Sequence, residues 1–304
     1  MLIAAGQLPR RTVNAVGHET VEQVSAGGVR WHVARAGSGP QLLLLHGTGA
    51  ASHSFEGVAD ALTSGFELII PDLPTHGRTS APQGWRPTLP AMAQAVAALV
   101  RQLDLAPVLL VGHSAGAAIA TRTVLDGAVR PAALVSINGA FLPFGGFLAP
   151  LFMPLARLCT LSPLLAESLA RRAADPAAVQ RLLDNTGSTL GDEAVQRYQR
   201  ELVRPGHVAG TLAMMAHWDL RDLLTDMQHL RVPLHLLVGA RDRAVPPRQA
   251  RQVARSVDDA CTLLLPDLGH LAHEENPQHI ANELRRIAGH PHIEGSSHQR
   301  RQHG

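Results

Sequence analysis

A chain of 304 residues with 45% hydrophobic side chains is long enough to bury a large α/β core, built as one domain that carries an insertion. Its net charge of +2 comes from scattered basic residues, which gives no electrostatic case for a nucleic-acid partner. All 27 basic residues are arginine, so a lysine Schiff base and a phosphate-loop lysine are excluded; Cys159 and Cys261 are too few for a disulfide framework or a cysteine zinc site and read as small core residues.

Met1 to Arg11 contains no apolar stretch of signal-peptide length, which points to a cytoplasmic protein. Glu19 to Val24 and Val29 to Val33, joined across Gly27-Gly28, predict an antiparallel hairpin. Short apolar runs follow at Leu42–Leu45, Leu68–Ile70, Val108–Val111, Leu134–Ile137, Leu234–Val238 and Thr262–Leu265, as expected of strands buried on both faces. Helical patterns lie between them, the clearest at Leu89, Met92, Val96, Leu99 and Leu103, and this alternation predicts a mainly parallel, doubly wound sheet.

After the run ending at Leu45 comes His46-Gly47-Thr48-Gly49, a loop type that supplies a backbone N–H to an oxyanion hole. The same glycines approximate a dinucleotide fingerprint, but its third position is Ser52 and the next run ends in Pro71-Asp72, a poor ribose-binding strand end. Val108 to Val111 runs into Gly112-His113-Ser114-Ala115-Gly116 and then Ala117-Ala118-Ile119-Ala120: strand, sharp turn, helix. Such a turn exposes a serine Oγ and aims a helix N-terminus at the reacting centre.

Residues 131–156 carry no charge, a length that would suffice for a membrane span, but Gly139, Pro143, Gly145, Gly146, Pro150 and Pro154 argue against one helix. The run predicts a buried strand followed by an apolar surface that contacts a greasy ligand or the membrane periphery. From Phe141 to His217 the strand–helix alternation stops. Two apolar stripes, Phe147-Leu148-Leu151-Phe152-Leu155-Leu158 and Val195-Tyr198-Leu202, predict an inserted helical cap over a cleft. The expected organisation is a core in two parts, 1–140 and 218–289, a cap at 141–217, and a disordered tail at 290–304.

Asp242 follows the run Leu234–Val238, and His270 follows Thr262–Leu265 through Pro266-Asp267-Leu268-Gly269. The order Ser114, Asp242, His270 is the order of a nucleophile, acid and base on a doubly wound sheet. Ser114 is the expected nucleophile, His270 the base and Asp242 its orienting acid. The N–H groups of Thr48 and Ala115 are the expected oxyanion donors. His273 is a rival base and Asp267 a rival acid. His46, Gly47, His113, Phe141, Phe147, Leu151 and Phe152 are expected to contact substrate, and neither a metal nor a cofactor is required.

These motifs resemble the α/β-hydrolase superfamily over about residues 15 to 290. Asp72-Leu73-Pro74-Thr75-His76-Gly77-Arg78-Thr79 also resembles its turn after the fourth strand, with Thr75 where glycine is common. More narrowly, His46-Gly47-Thr48-Gly49-Ala50, Gly112-His113-Ser114-Ala115-Gly116-Ala117-Ala118, Asn138-Gly139-Ala140, Pro143-Phe144-Gly145-Gly146, Met214-Met215-Ala216-His217-Trp218-Asp219 and Gly269-His270-Leu271-Ala272-His273-Glu274-Glu275 look like the magnesium chelatase accessory hydrolases of bacteriochlorophyll biosynthesis. The resemblance implies an α/β-hydrolase fold, a place in tetrapyrrole metabolism, a bulky apolar substrate such as a porphyrin, and magnesium chelatase as a partner. It names no reaction. The residues favour a serine hydrolase of an ester or related acyl bond; the alternatives are a noncatalytic porphyrin carrier and a cofactor-free dehalogenase or haloperoxidase on the same fold.

Overall fold

The computed structural model describes residues 11–13, 19–143 and 163–289. Among the described residues nine strands form one sheet: β1 (Arg11–Val13), β2 (Glu19–Ala26), β3 (Val29–Gly37), β4 (Gln41–Leu45), β5 (Glu67–Pro71), β6 (Leu109–His113), β7 (Ala133–Ile137), β8 (Leu234–Gly239) and β9 (Ala260–Leu265), in the order β1-β2-β3-β5-β4-β6-β7-β8-β9. The first three pair antiparallel and β3 runs antiparallel to β5; from β5 onward every pairing is parallel. Gly27 and Gly28 both have positive φ, which is why they join the hairpin predicted between β2 and β3.

The alternation of side chains along a strand divides the core into two layers. Leu43 and Leu45 of β4 face one layer with Trp31 and Leu110, covered by α2 (Leu89–Gln102) and α3 (Ala115–Leu125). Leu42 and Leu44 face the other with Leu109 and Val111, covered by α1 (Glu56–Leu62) and the C-terminal helix at Pro277–Gly289 through Ile280 and Leu284. The spacing read for α2 places Met92, Val96 and Leu99 inside, and Thr88 caps it by accepting from the Ala91 N–H.

Between β7 and β8 the described chain is helical: α4 (Pro163–Arg172), α5 (Pro176–Asp184), α6 (Asp192–Leu202) and α7 (Pro205–His217). After the short α8 (Leu223–Asp226) and β8 come α9 (Arg248–Ser256), β9, α10 (Ala272–Glu275) and α11, the Pro277–Gly289 helix. None of the helices among the described residues is long and apolar enough to cross a membrane. Cys159, the stripe at 147–158 and the tail at 290–304 lie outside the described residues.

Two expectations change. Among the described residues β9 is an edge strand, so Leu264 is 54% exposed and Cys261 is half-buried; a strand with one neighbour cannot be covered like a central one. The strand β1 carries too short an apolar signal to be read from three residues.

Parallel strands place their C-terminal loops at one edge of the sheet, so the loops after β4, β6, β8 and β9 converge there. Close packing enforces the convergence: a Cβ on Gly116 would lie 2.2 Å from the Leu45 carbonyl oxygen, and one on Gly112 would lie 2.4 Å from the Ala117 backbone. Gly116→Ala should therefore lower stability by about 1–3 kcal/mol, although helix propensity alone favours alanine by roughly 1 kcal/mol. Gly206→Ala, in α7 with open space around it, should be neutral or stabilising. Urea unfolding of the two variants checks the opposite signs.

Candidate active site

Ser114 sits between β6 and α3 with φ +52° and ψ −118°, a conformation a non-glycine residue adopts only when its surroundings impose it. Here they do. The Ser114 N–H donates to the Ile137 carbonyl at 3.0 Å, while its own carbonyl accepts from the N–H groups of Ala117 at 3.1 Å and Ala140 at 3.0 Å. The turn thus borrows its bonds from β7 and the loop beyond it.

Asp242 and His270, on the loops after β8 and β9, meet as the sequence predicts: His270 Nδ1 lies 2.8 Å from Asp242 Oδ2. The other carboxylate oxygen accepts from the N–H groups of Ala244 and Val245, each at 2.8 Å, which fixes the plane of the acid. In a neutral ring that donates from Nδ1, Nε2 is the unprotonated nitrogen, the one a general base uses.

Ser114 and His270 both line a cavity of about 300 Å³ with Gly47, Thr48, His113 and Ala115. Its roof comes from the helical insertion, with Leu182 and Leu183 from α5, Tyr198 and Leu202 from α6, and Trp218 after α7. Among the described residues no arginine, aspartate or glutamate lines it. Ala115 is the first residue of α3, where no preceding turn supplies an acceptor for its N–H. Among the described residues no group of three or more His, Cys, Asp or Glu side chains could hold a metal ion.

The rival residues lie elsewhere. His273 is fully buried against Phe55 and His113, with ring centroids 4.7 and 4.4 Å apart, and does not line the cavity. Burial first, and then the neighbouring His270, push its pKa down to about 3. Asp267 is exposed and pairs with Arg241 at 2.9 Å.

Two expected substrate contacts are corrected. His46 is fully buried below the loop: its Nε2 accepts the Leu73 N–H at 2.8 Å, so the ring donates from Nδ1 to the Gly47 carbonyl at 2.8 Å. Burial holds its pKa down to about 4. Phe141 packs into the core, where its ring would stand 2.5 Å from a Cβ on Gly139. Gly47 and His113 do line the cavity, and His113 Nε2 donates to the His270 carbonyl at 2.9 Å. Phe147, Leu151 and Phe152 lie outside the described residues. On the rim of the buried loop, Thr75 has φ +68°, which explains why glycine is the commoner residue in that turn.

Sequence reasoning did not single out Asn138 as a site residue. Just beyond β7 with φ +47°, its Nδ2 donates to the carbonyls of Gly269 and His270, each at 2.8 Å, and its Oδ1 accepts the Gly239 N–H at 2.7 Å. One side chain therefore ties the end of β8 to the loop that carries His270. A polar residue directly after a buried strand, followed by glycine, was the available signal.

The chain shares this architecture with known proteins. Residues 42–283 match the family model described as "Alpha/beta hydrolase family". The chain belongs to the α/β-hydrolase family. It is 38% identical over 251 residues to the "Magnesium-chelatase 30 kDa subunit" of Rhodobacter capsulatus, covering 82% of this chain and 87% of that one. It is 26% identical to the "Pimeloyl-[acyl-carrier protein] methyl ester esterase" of Vibrio vulnificus, over 85% of this chain and 98% of the relative. A thermophilic esterase from Thermogutta terrifontis has the same fold, with a TM-score of 0.72, 22% identity and coverage of 94% and 100%.

The insertion is tied to the loop that carries His270. Tyr198 Oη on α6 donates to Glu274 Oε1 at 2.6 Å, and the Leu271 N–H donates to Ser188 Oγ at 2.8 Å. Glu274 is buried, and burial raises its pKa to about 8 against the opposing effects of Tyr198 and Arg197. A folded carboxyl with a raised pKa holds its proton where the unfolded chain has lost it, so stability falls as pH rises from about 4.5 to about 8 and is level above that. Glu274→Gln should remove this part of the slope, which is at most about 1.4 kcal/mol per pH unit. Urea unfolding from pH 5 to 9 measures it.

Proposed function

We propose that this protein is a serine hydrolase that cleaves an ester or related acyl bond of a bulky apolar substrate. The observation that carries the reading is the 2.8 Å Asp242–His270 contact beside a cavity whose floor is Ser114 in its forced conformation. His270 Nε2 takes the proton as Ser114 Oγ attacks the carbonyl carbon, and Asp242 stabilises the imidazolium that forms. The oxyanion is met by the N–H groups of Thr48 and Ala115. His270 then protonates the leaving alcohol, and water repeats the sequence on the acyl-enzyme to release the acid.

The cavity limits what enters. Among the described residues no charged side chain lines the cavity to offset the several kcal/mol that desolvating a carboxylate costs, which supports a neutral portion beside Ser114. A volume of about 300 Å³ is small for a ligand site and holds an acyl or alkyl group, or one edge of a flat macrocycle. The name of the Rhodobacter capsulatus relative supports a role beside magnesium chelatase on a tetrapyrrole ester, with residues 141–217 as the cap of that site. The Vibrio esterase supports ester cleavage.

The same Rhodobacter name is that of a subunit and not of a hydrolase, which favours a second reading in which the capped cleft carries a porphyrin without chemistry. Labelling with a fluorophosphonate separates the two. Labelling of Ser114, abolished in Ser114→Ala, is expected for the hydrolase; esterase activity unchanged by that substitution would overturn it. Asp242→Asn should lower kcat by about 10⁴-fold. His270→Ala should lose nearly as much as Ser114→Ala, and His273→Ala much less.

Substrate class is tested by titrating Ser114→Ala with protoporphyrin IX, its magnesium complex and its monomethyl ester, following tryptophan fluorescence from Trp218 in the cavity wall. Saturable quenching at micromolar ligand, weakened by a polar residue in place of Leu202, is the expected result. Ready hydrolysis of simple acyl esters with no porphyrin binding would leave a general esterase.

A further inference from the structure

A second cavity, of about 470 Å³, lies where β2, β3 and the loop before α1 meet α6. Its chemistry is the reverse of the cleft at Ser114. Three guanidinium groups, Arg78 from the core and Arg197 and Arg200 from α6, line it together with Glu56, Asp72 and Glu201. Acids and bases are equal in number, but Asp72 and Glu201 find their partners elsewhere, which leaves guanidinium N–H groups without acceptors among the described residues.

Asp72 is 2% exposed and accepts the backbone N–H groups of Ser52 and Arg78, each at 2.8 Å. Glu201 is held by Arg204 at 2.8 Å. Glu56 is 46% exposed and approaches Arg197 only to 3.6 Å, beyond hydrogen-bond distance. Arg197 has no closer acid, Glu193 being 4.0 Å away, and its buried Nε has no hydrogen-bond acceptor among the described residues. Arg78 and Arg200 are exposed and neither makes an ion pair among them. His53 also lines the cavity; burial holds its pKa to about 3, so its ring is neutral, and both ring nitrogens lack partners among the described residues.

We propose that this cavity binds an oxyanion group, phosphate or carboxylate, held between Arg78 of the core and Arg197 and Arg200 of α6. Guanidinium forks suit either group by geometry and charge. The two arginines on α6 are three residues apart and so share one helix face. Tyr198, on the neighbouring face, lines the Ser114 cavity and touches His53 edge-on, with ring centroids 4.9 Å apart. The polar cavity thus lies behind the wall of the apolar one. An anion joining Arg78 to α6 stabilises the helix on the core by mass action, and the site needs no catalytic step.

Calorimetric titration of Ser114→Ala with inorganic phosphate, pyrophosphate and citrate, at constant ionic strength in chloride, tests the site. The expected result is saturable binding, weakened roughly 10-fold or more by Arg78→Ala and by Arg200→Ala, the loss of one charged hydrogen bond. Arg171→Ala, at an exposed arginine on α4, should leave it unchanged. Tighter pyrophosphate binding identifies a phosphate site, and tighter citrate binding a carboxylate site. Circular dichroism confirms that the variants are folded. No saturable binding of any anion, or equal weakening by Arg171→Ala, overturns the proposal. The result is independent of fluorophosphonate labelling, so the oxyanion site and the hydrolase reading fail separately.

Discussion

The side-chain amide of Asn138 joins the end of β8 to the loop after β9 from its place beyond β7. Three hydrogen bonds of 2.7–2.8 Å link the end of β7 to Gly239 at the end of β8 and to the carbonyls of Gly269 and His270. The Asp242–His270 contact spans the loops that follow, so its geometry is inherited from this clasp. A buried amide with both its ends bonded is rigid, and losing it would leave several backbone groups without partners, each costing about 1–3 kcal/mol. The positive φ of Asn138 is the local strain that this bonding sustains.

Around the site the chain buries a group of histidines together with the carboxylates of Asp72 and Asp242. His46, His53, His76, His113 and His273 are all held well below the ordinary histidine value, with burial as the leading cause. Each acts as a flat ring with one donor and one acceptor, and His46 uses both to fix the loop carrying Gly47. The unfolded chain would protonate these rings below about pH 6.5 while the folded one resists, so acid weakens the fold from that point downward.

How much of this was legible depended on the kind of signal. Continuous apolar runs gave β4 to β8 closely, because a central parallel strand has no polar face to blur the pattern. The three loops bearing Ser114, Asp242 and His270 followed from strand ends and chain order. What the sequence could not state was which way a loop side chain turns. His46 and Phe141 flank the site in sequence, yet one is turned under its own loop and the other into the core. Asn138 and Glu274 stood in the sequence only as members of motifs, without a role, for a related reason: their partners lie more than a hundred residues away for Asn138 and 76 away for Glu274. Of the apolar stripe on α6, Val195 packs inward beside Ala50 while Tyr198 and Leu202 face the cavity, a division that only the path of the helix over the core decides.

The bonds that fasten the helical insertion fall on residues flanking those of the proposed chemistry. Tyr198 holds Glu274, Ser188 holds Leu271, and His207 takes the Gly77 N–H and donates to the Gly49 carbonyl. Glu274 and Leu271 adjoin His270, and Gly49 adjoins Thr48. Raising these helices to admit a large molecule would therefore slacken the loops that hold the proposed base and one oxyanion donor. Access and competence would then be opposed states of a single equilibrium, with the proposed site assembled only when the helices lie over what they enclose.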